Sequence, residues 1–482
     1  MTNPAFDVQQ YGQSIWLDFI HRSSLENGEM QKYIDEFGVI GVTSNPAIFQ
    51  KAIGDSDTYD SAIVHMLELD AYDIYEKLAI EDIQRALDLF RPIYDRSNKQ
   101  DGYVSLEVSP LIANDTQTTL SEALRLFKTV NRPNLMVKIP ATPAGLPAIE
   151  AAIEAGVNIN VTLIFAVKNY EDVARAYIRG LEKRLAAGGD VSHVASVASF
   201  FLSRIDSLVD KMLENNIRAA QGRDLDRVAH NRELLGKAAI ANAKLAYKRF
   251  MNIFYGPEFA KLREAGARVQ RPLWASTGTK NPAYPDTMYI DRLIGKDTVN
   301  TVPPATLKAF KDHGTAADTI GEEIDKVEET MDMLAEAGID MEQITNQLQE
   351  DGVELFVEAF ESLLRQVEAK RDILETRVFE KQNVALGIYG DQVQAVLKKL
   401  ESEKINERIW AHDGSAWKDQ AGIITKIEHR LGWLDTAATI DIERLKAFQS
   451  SIKGAGFSHA VLLGMGGSSL APEVLYQTFG QQ

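Results

Sequence analysis

The stretch NLMVKIPAT, residues 134–142, places a lysine in the middle of what is otherwise a buried β-strand. Val137 and Ile139 flank Lys138, so the lysine points to the opposite face of the strand from these apolar side chains. Taking an ammonium charge out of water is costly unless the charge is paired. Two roles are therefore open for Lys138. In a structural role its ammonium group reaches solvent or a carboxylate; in a chemical role the amine is held neutral.

Seven further β-rich runs accompany this one, and segments with helical periodicity separate them. Eight repeats of strand and helix predict a (β/α)8 TIM barrel. A doubly wound open sheet is the alternative, but no G-x-G-x-x-G motif opens the first helix. The runs are SIWLDFI from Ser14, GVIGVTSNP from Gly38, YVSLEVSP from Tyr103, NLMVKIPAT from Asn134, NINVTLIF from Asn158, HVASVASFFLSR from His193, RPLWASTG from Arg271 and TVNTVPPATL from Thr298.

Polar side chains share one face of each predicted strand, and apolar side chains occupy the other. A barrel axis filled only for stability would carry branched apolar residues. Here the axis would instead hold two carboxylates, one lysine and several amides and hydroxyls, which favours a chemical role for Lys138. The polar positions are Asp18, Thr43, Asn45, Ser105, Glu107, Ser109, Lys138, Asn158, Asn160 and Thr162.

Composition excludes several classes of protein. The 482 residues allow two to four domains, and the absence of cysteine excludes disulfides and thiolate sites and suits a reducing compartment. A net charge of -17 argues against nucleic acid or anionic lipid as a partner. The N-terminal residues lack the pattern of an export signal and no apolar run is long enough to span a bilayer, so a cytoplasmic location is expected.

The residue types on the axis suit Schiff-base chemistry. A lysine in a pocket of low dielectric can supply the neutral amine that attacks a ketone, and the resulting imine is an electron sink for cleavage of a neighbouring carbon–carbon bond. Asp18 and Glu107 are the available acids and bases. Metal-assisted aldol chemistry is the competing route, but the eight histidines are scattered without ligand spacing, so we predict neither a metal nor a cofactor.

Six motifs resemble those of the transaldolases, class I Schiff-base enzymes of the pentose phosphate pathway. They are WLDFI, GVTSNP, SLEVSP, LMVKIPAT, NINVTLIF and SFFLSR, in this order and within residues 1–370. The resemblance implies transfer of a dihydroxyacetone unit between sugar phosphates, with a ketose phosphate as donor and an aldose phosphate as acceptor. The related fructose 6-phosphate aldolases are shorter and tend to carry glutamine where this chain has Glu107, so transfer is favoured over simple cleavage.

The resemblance also implies a role for each residue. Lys138 would form the Schiff base, Glu107 would move protons together with Thr162 through a water molecule, and Asp18 would deprotonate the hydroxyl whose carbon leaves as the aldehyde. The remaining residues, which would hold sugar hydroxyls, are Thr43, Asn45, Asn160 and Ser199.

Both substrates carry a phosphate and therefore need cations at a fixed distance from Lys138. Arg204 follows the sixth predicted strand and is the first candidate, since a guanidinium binds phosphate bidentately; pairing with Asp206 is the structural alternative. The family carries an arginine after the seventh strand. Here WASTGTKNP offers Ser276 and, further on, Lys280, which we predict replaces that arginine.

The chain changes character after about residue 370. We predict a barrel domain at 1–370, followed at 371–482 by a helical linker and the start of a second α/β domain. The string GMGGSSLAPE, preceded by a predicted strand at Ala460–Leu463, resembles the opening of a phosphoglucose isomerase or related sugar isomerase (SIS-like) domain, with Ser468 and Ser469 at an anion-binding loop. The chain then resembles the N-terminal part of a bifunctional transaldolase and phosphoglucose isomerase.

Two further questions stay open in the sequence. A sugar-phosphate binding or isomerase module, with the barrel secondary, is the alternative function. The insertion from Arg204 to Gln270, with a predicted helix in KAAIANAKLAYKRFMNIF, suits either barrel cladding or a homodimer contact.

Overall fold

The eight predicted strands form a closed parallel barrel in which each strand pairs with the next along the chain and the eighth closes onto the first. This is seen in a computed structural model that describes residues 3–54, 56–376, 387–457, 459, 461–464 and 467–479. The prediction of a (β/α)8 barrel is confirmed. The strands are β1 Gln13–Leu17, β2 Val39–Val42, β3 Val104–Glu107, β4 Leu135–Pro140, β5 Ile159–Ile164, β6 Ser196–Phe201, β7 Arg271–Ala275 and β8 Thr298–Val302.

Helices follow the strands and cover the outside of the barrel. The chain divides into two compact units, Met1–Lys381 and Gln382–Gln482. The helices of the first unit are α1 Pro4–Asp7, α2 Arg22–Glu26, α3 Glu29–Phe37, α4 Pro46–Gly54, α5 Asp60–Ile63, α6 Ala71–Arg96, α7 Thr116–Val130, α8 Gly145–Glu154, α9 Val167–Ala186, α10 Ser203–Ala220, α11 Leu225–Leu234, α12 Ala238–Phe254, α13 Ala260–Glu264, α14 Met288–Asp291, α15 Pro304–His313, α16 Val327–Glu336 and α17 Met341–Thr376.

Short polar side chains begin several of these helices. Asp70 starts α6 by accepting a hydrogen bond from the backbone N–H of Asp73, and Asp115 does the same for α7 through Thr118. Single 3-10 turns connect other elements of the first unit, at Val8–Tyr11, Asp57–Tyr59, Val64–Met66, Pro110–Ile112, Pro257–Phe259 and Ile324–Lys326. The predicted helix in the insertion between β6 and β7 is confirmed as α12.

Strand register brings three polar residues into line. Glu107 on β3 pairs with Lys138 on β4, and Lys138 pairs with Asn160 on β5. Side chains at paired positions of neighbouring strands point to the same face of a sheet, so these three side chains lie in one layer of the barrel axis. The alternate residues Val137, Ile139 and Val161 are fully buried under the surrounding helices.

Helices and 3-10 turns are the regular elements among the described residues of the second unit. Its helices are α18 Gly390–Ser402, α19 Ile405–Trp410, α20 Ala421–Glu428, α21 Thr436–Thr439, α22 Ile442–Gly454 and α23 Gly467–Phe479, with 3-10 turns at Gly387–Tyr389, Gly414–Ala416 and Gly432–Asp435. Among the described residues of the whole chain, no helix is both long and apolar enough to cross a bilayer.

The strand predicted at Ala460–Leu463 is not formed in the residues that can be assessed. Val461, Leu462 and Leu463 have no regular structure, and Ala460 lies outside the described residues. An isolated strand needs hydrogen-bonding neighbours, and the described part of this unit supplies none. Val461 and Leu463 are 83% and 91% exposed. The assignment to an isomerase-like domain stays a prediction.

A buried charge network ties α2 to α6. Asp82 of α6 is fully buried and accepts hydrogen bonds from Arg22 Nε at 2.7 Å and from the Tyr59 hydroxyl at 2.8 Å. Arg22 is itself buried, so its guanidinium has lost its hydration and depends on Asp82 and on the exposed Glu81 carboxylate, which lies 3.0 Å from its Nη2 atom. Asp88 lies on the same helix but forms its ion pair with Arg132 at the surface.

Replacing Asp82 by alanine should lower the free energy of unfolding by about 3 kcal/mol, because it removes the buried partner of Arg22 Nε and leaves only the exposed Glu81 carboxylate, 3.0 Å from Arg22 Nη2. Asp88→Ala, the matched control on α6, should cost less than about 1 kcal/mol. Urea unfolding followed by tryptophan fluorescence measures both. Equal losses for the two variants would contradict the importance given to the buried pair.

Candidate active site

Lys138 lies inside the barrel with only 5% of its surface exposed. Its Nζ atom is 3.2 Å from Glu107 Oε2 and donates a hydrogen bond of 3.2 Å to the backbone carbonyl of Ser44. The aromatic ring of Phe356 covers the amine, with its centroid 5.5 Å away. The ammonium form is therefore stabilised by one carboxylate and one carbonyl in surroundings closed to bulk water.

Glu107 shares this buried environment. Burial raises the pKa of Glu107 to about 7, an effect that the nearby Lys138 ammonium partly offsets and the Asp18 carboxylate reinforces. Neither carboxylate oxygen has a well-directed hydrogen bond from a described residue. A carboxyl group with a pKa near neutrality can both accept and donate a proton at physiological pH, as a general acid and base must.

Asp18 follows β1 at the same end of the barrel. Burial raises its pKa, while the hydroxyl of Thr43 and the charge of Lys138 oppose the shift. Thr43 Oγ1 donates to Asp18 Oδ1 at 2.7 Å and also lies 2.6 Å from Thr301 Oγ1. Thr43 therefore fixes the orientation of a carboxylate that can act as a base.

A second polar network spans β3, β5 and β6. Asn160 Nδ2 donates to Ser105 Oγ at 3.0 Å, and Ser199 Oγ donates to Asn160 Oδ1 at 2.7 Å. Thr162 lies two residues beyond Asn160 on the same face of β5, and its buried hydroxyl has no partner among the described residues.

Asn45 lies just before α4. Its carboxamide oxygen accepts a hydrogen bond from the N–H of Ile48, which leaves its amide nitrogen available.

Arg204 lies in the first turn of α10, close to the C-terminal end of β6. Its Nη1 atom is buried and has no hydrogen-bond partner among the described residues, and its guanidinium lies 5.8 Å from the ring of Phe201. Desolvation lowers its pKa, opposed by the charge of Asp351. The Asp206 carboxylate instead accepts from the Tyr289 hydroxyl and from the N–H of Ala239. Arg204 is therefore a half-buried cation whose buried Nη1 donor has no partner in the described part of the chain, which suits an anionic ligand.

The other two predicted phosphate contacts are placed differently. Ser276 follows β7 with a left-handed φ of 55°, and its hydroxyl lies 2.7 Å from the hydroxyl of Ser203, next to Arg204 in the chain. Lys280 is exposed and lines an outer cavity together with Asp206 and Asp210, a cavity that neither Lys138 nor Arg204 lines. The structure therefore does not bring Lys280 together with the other site residues.

The long helix α17 contributes residues that the sequence analysis missed. Besides Phe356, it carries Gln349, whose side-chain amide donates to the carbonyls of Ala141 and Leu163 at 3.1 and 3.0 Å. These carbonyls follow β4 and lie in β5, so Gln349 ties the helix to the strand ends that carry the site. α17 thus covers the mouth of the barrel near Lys138.

Gly352 allows α17 to approach Arg204 closely. A Cβ atom on this residue would lie 3.1 Å from Leu163 Cδ2 and 3.7 Å from Arg204 Nη1. Leu163 has a left-handed φ of 59° at a register shift between β5 and β6, so the backbone bulges at this point. A glycine within an otherwise helical pattern (EDGVELF) was the sequence signal, because glycine weakens a helix and usually marks a close contact.

The charged side chains of the site are not arranged like the ligands of a metal ion. Among the described residues, no cluster of three or more histidine, aspartate and glutamate side chains has the arrangement needed to hold a metal ion. The site combines one lysine, two carboxyl groups with raised pKa values, and a half-buried arginine whose buried Nη1 donor has no partner among the described residues.

Comparison with known proteins agrees with this arrangement. The family described as Transaldolase/Fructose-6-phosphate aldolase matches residues 15–367. Transaldolase 2 of Nostoc punctiforme is 46% identical over 377 residues, which cover 77% of this chain and 99% of that protein. The transaldolase of Trichodesmium erythraeum is 44% identical over 374 residues, covering 77% and 98%. The transaldolase of Neisseria gonorrhoeae is 45% identical over 360 residues, covering 74% and 97%. The chain therefore belongs to the transaldolase/fructose-6-phosphate aldolase family.

Proposed function

We propose that this protein is a transaldolase. It would move a dihydroxyacetone unit from sedoheptulose 7-phosphate or fructose 6-phosphate to glyceraldehyde 3-phosphate or erythrose 4-phosphate, in the pentose phosphate pathway. The observation that carries the proposal is a buried lysine, Lys138, held 3.2 Å from a carboxyl group whose pKa is about 7. The names of the relatives, which are transaldolases covered almost over their full length, support the same activity.

The first step is imine formation. Glu107 accepts a proton from the Lys138 ammonium, and the neutral amine attacks the ketone carbon of the donor sugar. The protonated Glu107 then returns the proton to the carbinolamine hydroxyl, which leaves as water and gives the iminium ion. The Thr162 hydroxyl has no protein partner among the described residues, so it is free to hold a water molecule for this proton transfer.

The second step breaks the carbon–carbon bond. Asp18 removes the proton from the hydroxyl on the fourth carbon, the bond between the third and fourth carbons breaks, and its electron pair moves into the iminium ion. The aldose phosphate leaves and an enamine of dihydroxyacetone stays on Lys138. The raised pKa of Asp18 strengthens it as a base, and the hydrogen bond from Thr43 keeps it oriented. The steps run in reverse with the acceptor.

The remaining site residues are proposed to bind substrate. Thr43, Asn45, Asn160 and Ser199 would contact sugar hydroxyls. Arg204 would bind the phosphate group, with Ser276 beside it; Lys280 keeps a proposed phosphate role only if its loop turns away from Asp206 and Asp210.

Three further proposals concern the location of the protein, its assembly and its residues 371–482. We propose a cytoplasmic location, supported by the absence of cysteine, and a homodimer as the assembly. We also propose that residues 371–482 begin a phosphoglucose isomerase-like domain, supported by the string GMGGSSLAPE alone. Met465 and Gly466 of that string, and the side chains of Ser468 and Ser469, lie outside the described residues. No observation favours an isomerase or simple binding module over the transaldolase.

Borohydride reduction in the presence of fructose 6-phosphate should attach a three-carbon unit to the peptide that contains Lys138. Lys138→Ala should lower transfer on the order of 10⁴-fold or more, because no other nucleophile can form the imine. Lys244 is the matched control: it is equally buried, but its ammonium donates to the carbonyls of Thr319 and Glu322. Mass mapping that finds the adduct on Lys244, or on neither lysine of the folded protein, would refute the mechanism.

The pH dependence should report Glu107. Its folded-state pKa of about 7 means that the carboxylate needed as base is lost as the pH falls below 7, so kcat/KM should decline on the acidic side with a midpoint near pH 7. Glu107→Gln should remove this limb and lower kcat/KM about 10²–10⁴-fold. Asp206→Asn is the control, since burial raises the pKa of Asp206 to about 6 away from Lys138. An acidic limb that vanishes in Asp206→Asn instead would contradict the assignment.

The ring of Phe356 should protect the enamine from water. Phe356→Ala is expected to raise the ratio of free dihydroxyacetone released to dihydroxyacetone transferred about tenfold, equivalent to ~1.4 kcal/mol. Phe360→Ala is the matched control, because Phe360 lies one turn further along α17 and packs against Tyr72 and Tyr75. A coupled assay for both products measures the ratio, and an equal rise in the two variants would mean that only helix packing is involved.

A further inference from the structure

A second cavity lies at the opposite end of the barrel from Lys138, where the strands begin. Its volume is about 270 Å³, and its inner wall includes Tyr103, Met136, Val197 and Arg271 from the N-terminal ends of β3, β4, β6 and β7. We infer that this cavity binds a small organic anion, a carboxylate or phosphate ester with a compact apolar body. Neither the proposed reaction nor its substrates require such a site.

Unpaired positive charge is the first observation behind the proposal. Lys99, Arg263 and Arg268 line the cavity together with Arg271, and Asp297 is the carboxylate that faces them. The Asp297 carboxylate accepts from the hydroxyl of Tyr255. Because the protein as a whole carries a net charge of -17, a cluster of lysine and arginine side chains around one cavity is unusual for this chain.

The partners of these cations are neutral. Arg268 donates to the carbonyls of Ser192 and Asn98, and Arg263 donates to the carbonyl of Phe254. Lys99 contacts the imidazole of His193. None of the three forms an ion pair with a carboxylate among the residues that the structure describes. Carbonyl contacts fix the positions of the guanidinium groups without neutralising their charge, which leaves that charge for a ligand.

Arg271 behaves differently and forms the floor of the cavity. It pairs with Asp101 at 3.1 Å and donates to Ser14 Oγ and to the carbonyl of Thr298 at 2.5 and 2.8 Å. These contacts join β7 to β1 and β8 and serve the stability of the barrel, as is usual at this end of the fold. Its Nε atom is nevertheless buried and has no hydrogen-bond partner among the described residues. Arg271 therefore supports the floor of the cavity, and the three cations without carboxylate partners among the described residues carry the charge available to a ligand.

The remaining wall of the cavity defines the body of the ligand. Met136, Val197, Val269 and the rings of Tyr103 and Tyr255 supply apolar surface between the cations. A fully hydrated inorganic ion would leave this surface unused, whereas a ligand with an aromatic or branched aliphatic body would bury it at about 25 cal/mol per Å². The volume is just below the usual range for ligand pockets, which limits the ligand to a small metabolite.

Binding of phenyl phosphate, measured by isothermal titration calorimetry, tests the proposal. The full-length Arg204→Ala variant is used as the background, so that the phosphate contact proposed for the active site does not contribute. We expect one phenyl phosphate per chain, with affinity at least tenfold weaker when Arg263→Gln and Arg268→Gln are added. Benzoate should bind as well, and inorganic phosphate at least tenfold more weakly than phenyl phosphate.

Arg184→Gln is the matched control. Arg184 also donates to two backbone carbonyls, those of Asp190 and Glu154, without a carboxylate partner among the described residues, but it does not line the cavity. It should bind phenyl phosphate like the background. If the double variant does not fold, the single variants Lys99→Gln and Arg263→Gln should each weaken binding at least threefold.

Phenyl phosphate that binds equally well to the background and to the folded cavity variants would overturn the proposal. Equal affinity for inorganic phosphate and phenyl phosphate would also overturn it, because the apolar wall would then have no role. The readout is binding alone and does not depend on Lys138. A failed transaldolase assay and a failed binding assay are therefore distinguishable.

Discussion

Burial of an ammonium and a carboxyl group side by side is the constraint on which the rest of the site depends. Lys138 and Glu107 stand at paired positions of neighbouring strands, so strand pairing holds Lys138 Nζ and Glu107 Oε2 3.2 Å apart, and the Ser44 carbonyl accepts a hydrogen bond from the same amine. Desolvation raises the pKa of Glu107 to about 7, and the nearby Lys138 charge partly offsets this shift. A carboxyl group with this pKa can both accept and donate a proton at neutral pH, as imine formation at a neighbouring lysine requires.

The neighbouring residues keep this pair dry and oriented. Phe356 covers the amine from α17, and Gln349 anchors the same helix to the carbonyls at the ends of β4 and β5. Water can protonate an enamine before its acceptor binds, and protonation leads to release of the three-carbon unit instead of its transfer. Exclusion of water from the site would therefore favour transfer. By covering Lys138, α17 would contribute to this selectivity, although it carries no proposed reacting group.

Each mouth of the barrel has arginine side chains without a carboxylate hydrogen-bond partner among the described residues. Near Lys138, Arg204 keeps a buried donor free; at the opposite mouth, Arg263 and Arg268 donate hydrogen bonds only to carbonyls among the described residues. The buried guanidinium groups of Arg22 and Arg271 are instead paired with carboxylates and hold elements of the barrel together. The distinction between paired and unpaired arginine separates residues that support the fold from residues available to a ligand.

The sequence by itself determined the barrel and the face of each strand that carries the chemistry. Strand periodicity is a local property, and a polar residue that alternates with apolar ones must point into the axis of a closed parallel barrel. Lys138, Glu107, Asp18, Thr43 and Asn160 could therefore be predicted from their own strands. Ser199 was named only through the family resemblance, and Arg204 through its place after the sixth strand; the hydrogen bond from Ser199 to Asn160 and the Nη1 atom of Arg204 without a partner among the described residues were seen only in the structure.

Contacts between segments far apart in the chain were decided only by the tertiary structure. Phe356 and Gly352 lie more than 200 residues from Lys138, and their helical pattern is the same whether α17 packs over the barrel mouth or along its side. The position of Lys280 beside Asp206 and Asp210 has a similar origin, because the direction of its loop depends on packing against α10 and not on the strand before it. The cation-lined cavity joins residues from several loops and strand ends, and no periodic pattern connects them. Periodicity specifies which way a side chain points from its own element, whereas the neighbours it meets depend on how distant elements pack.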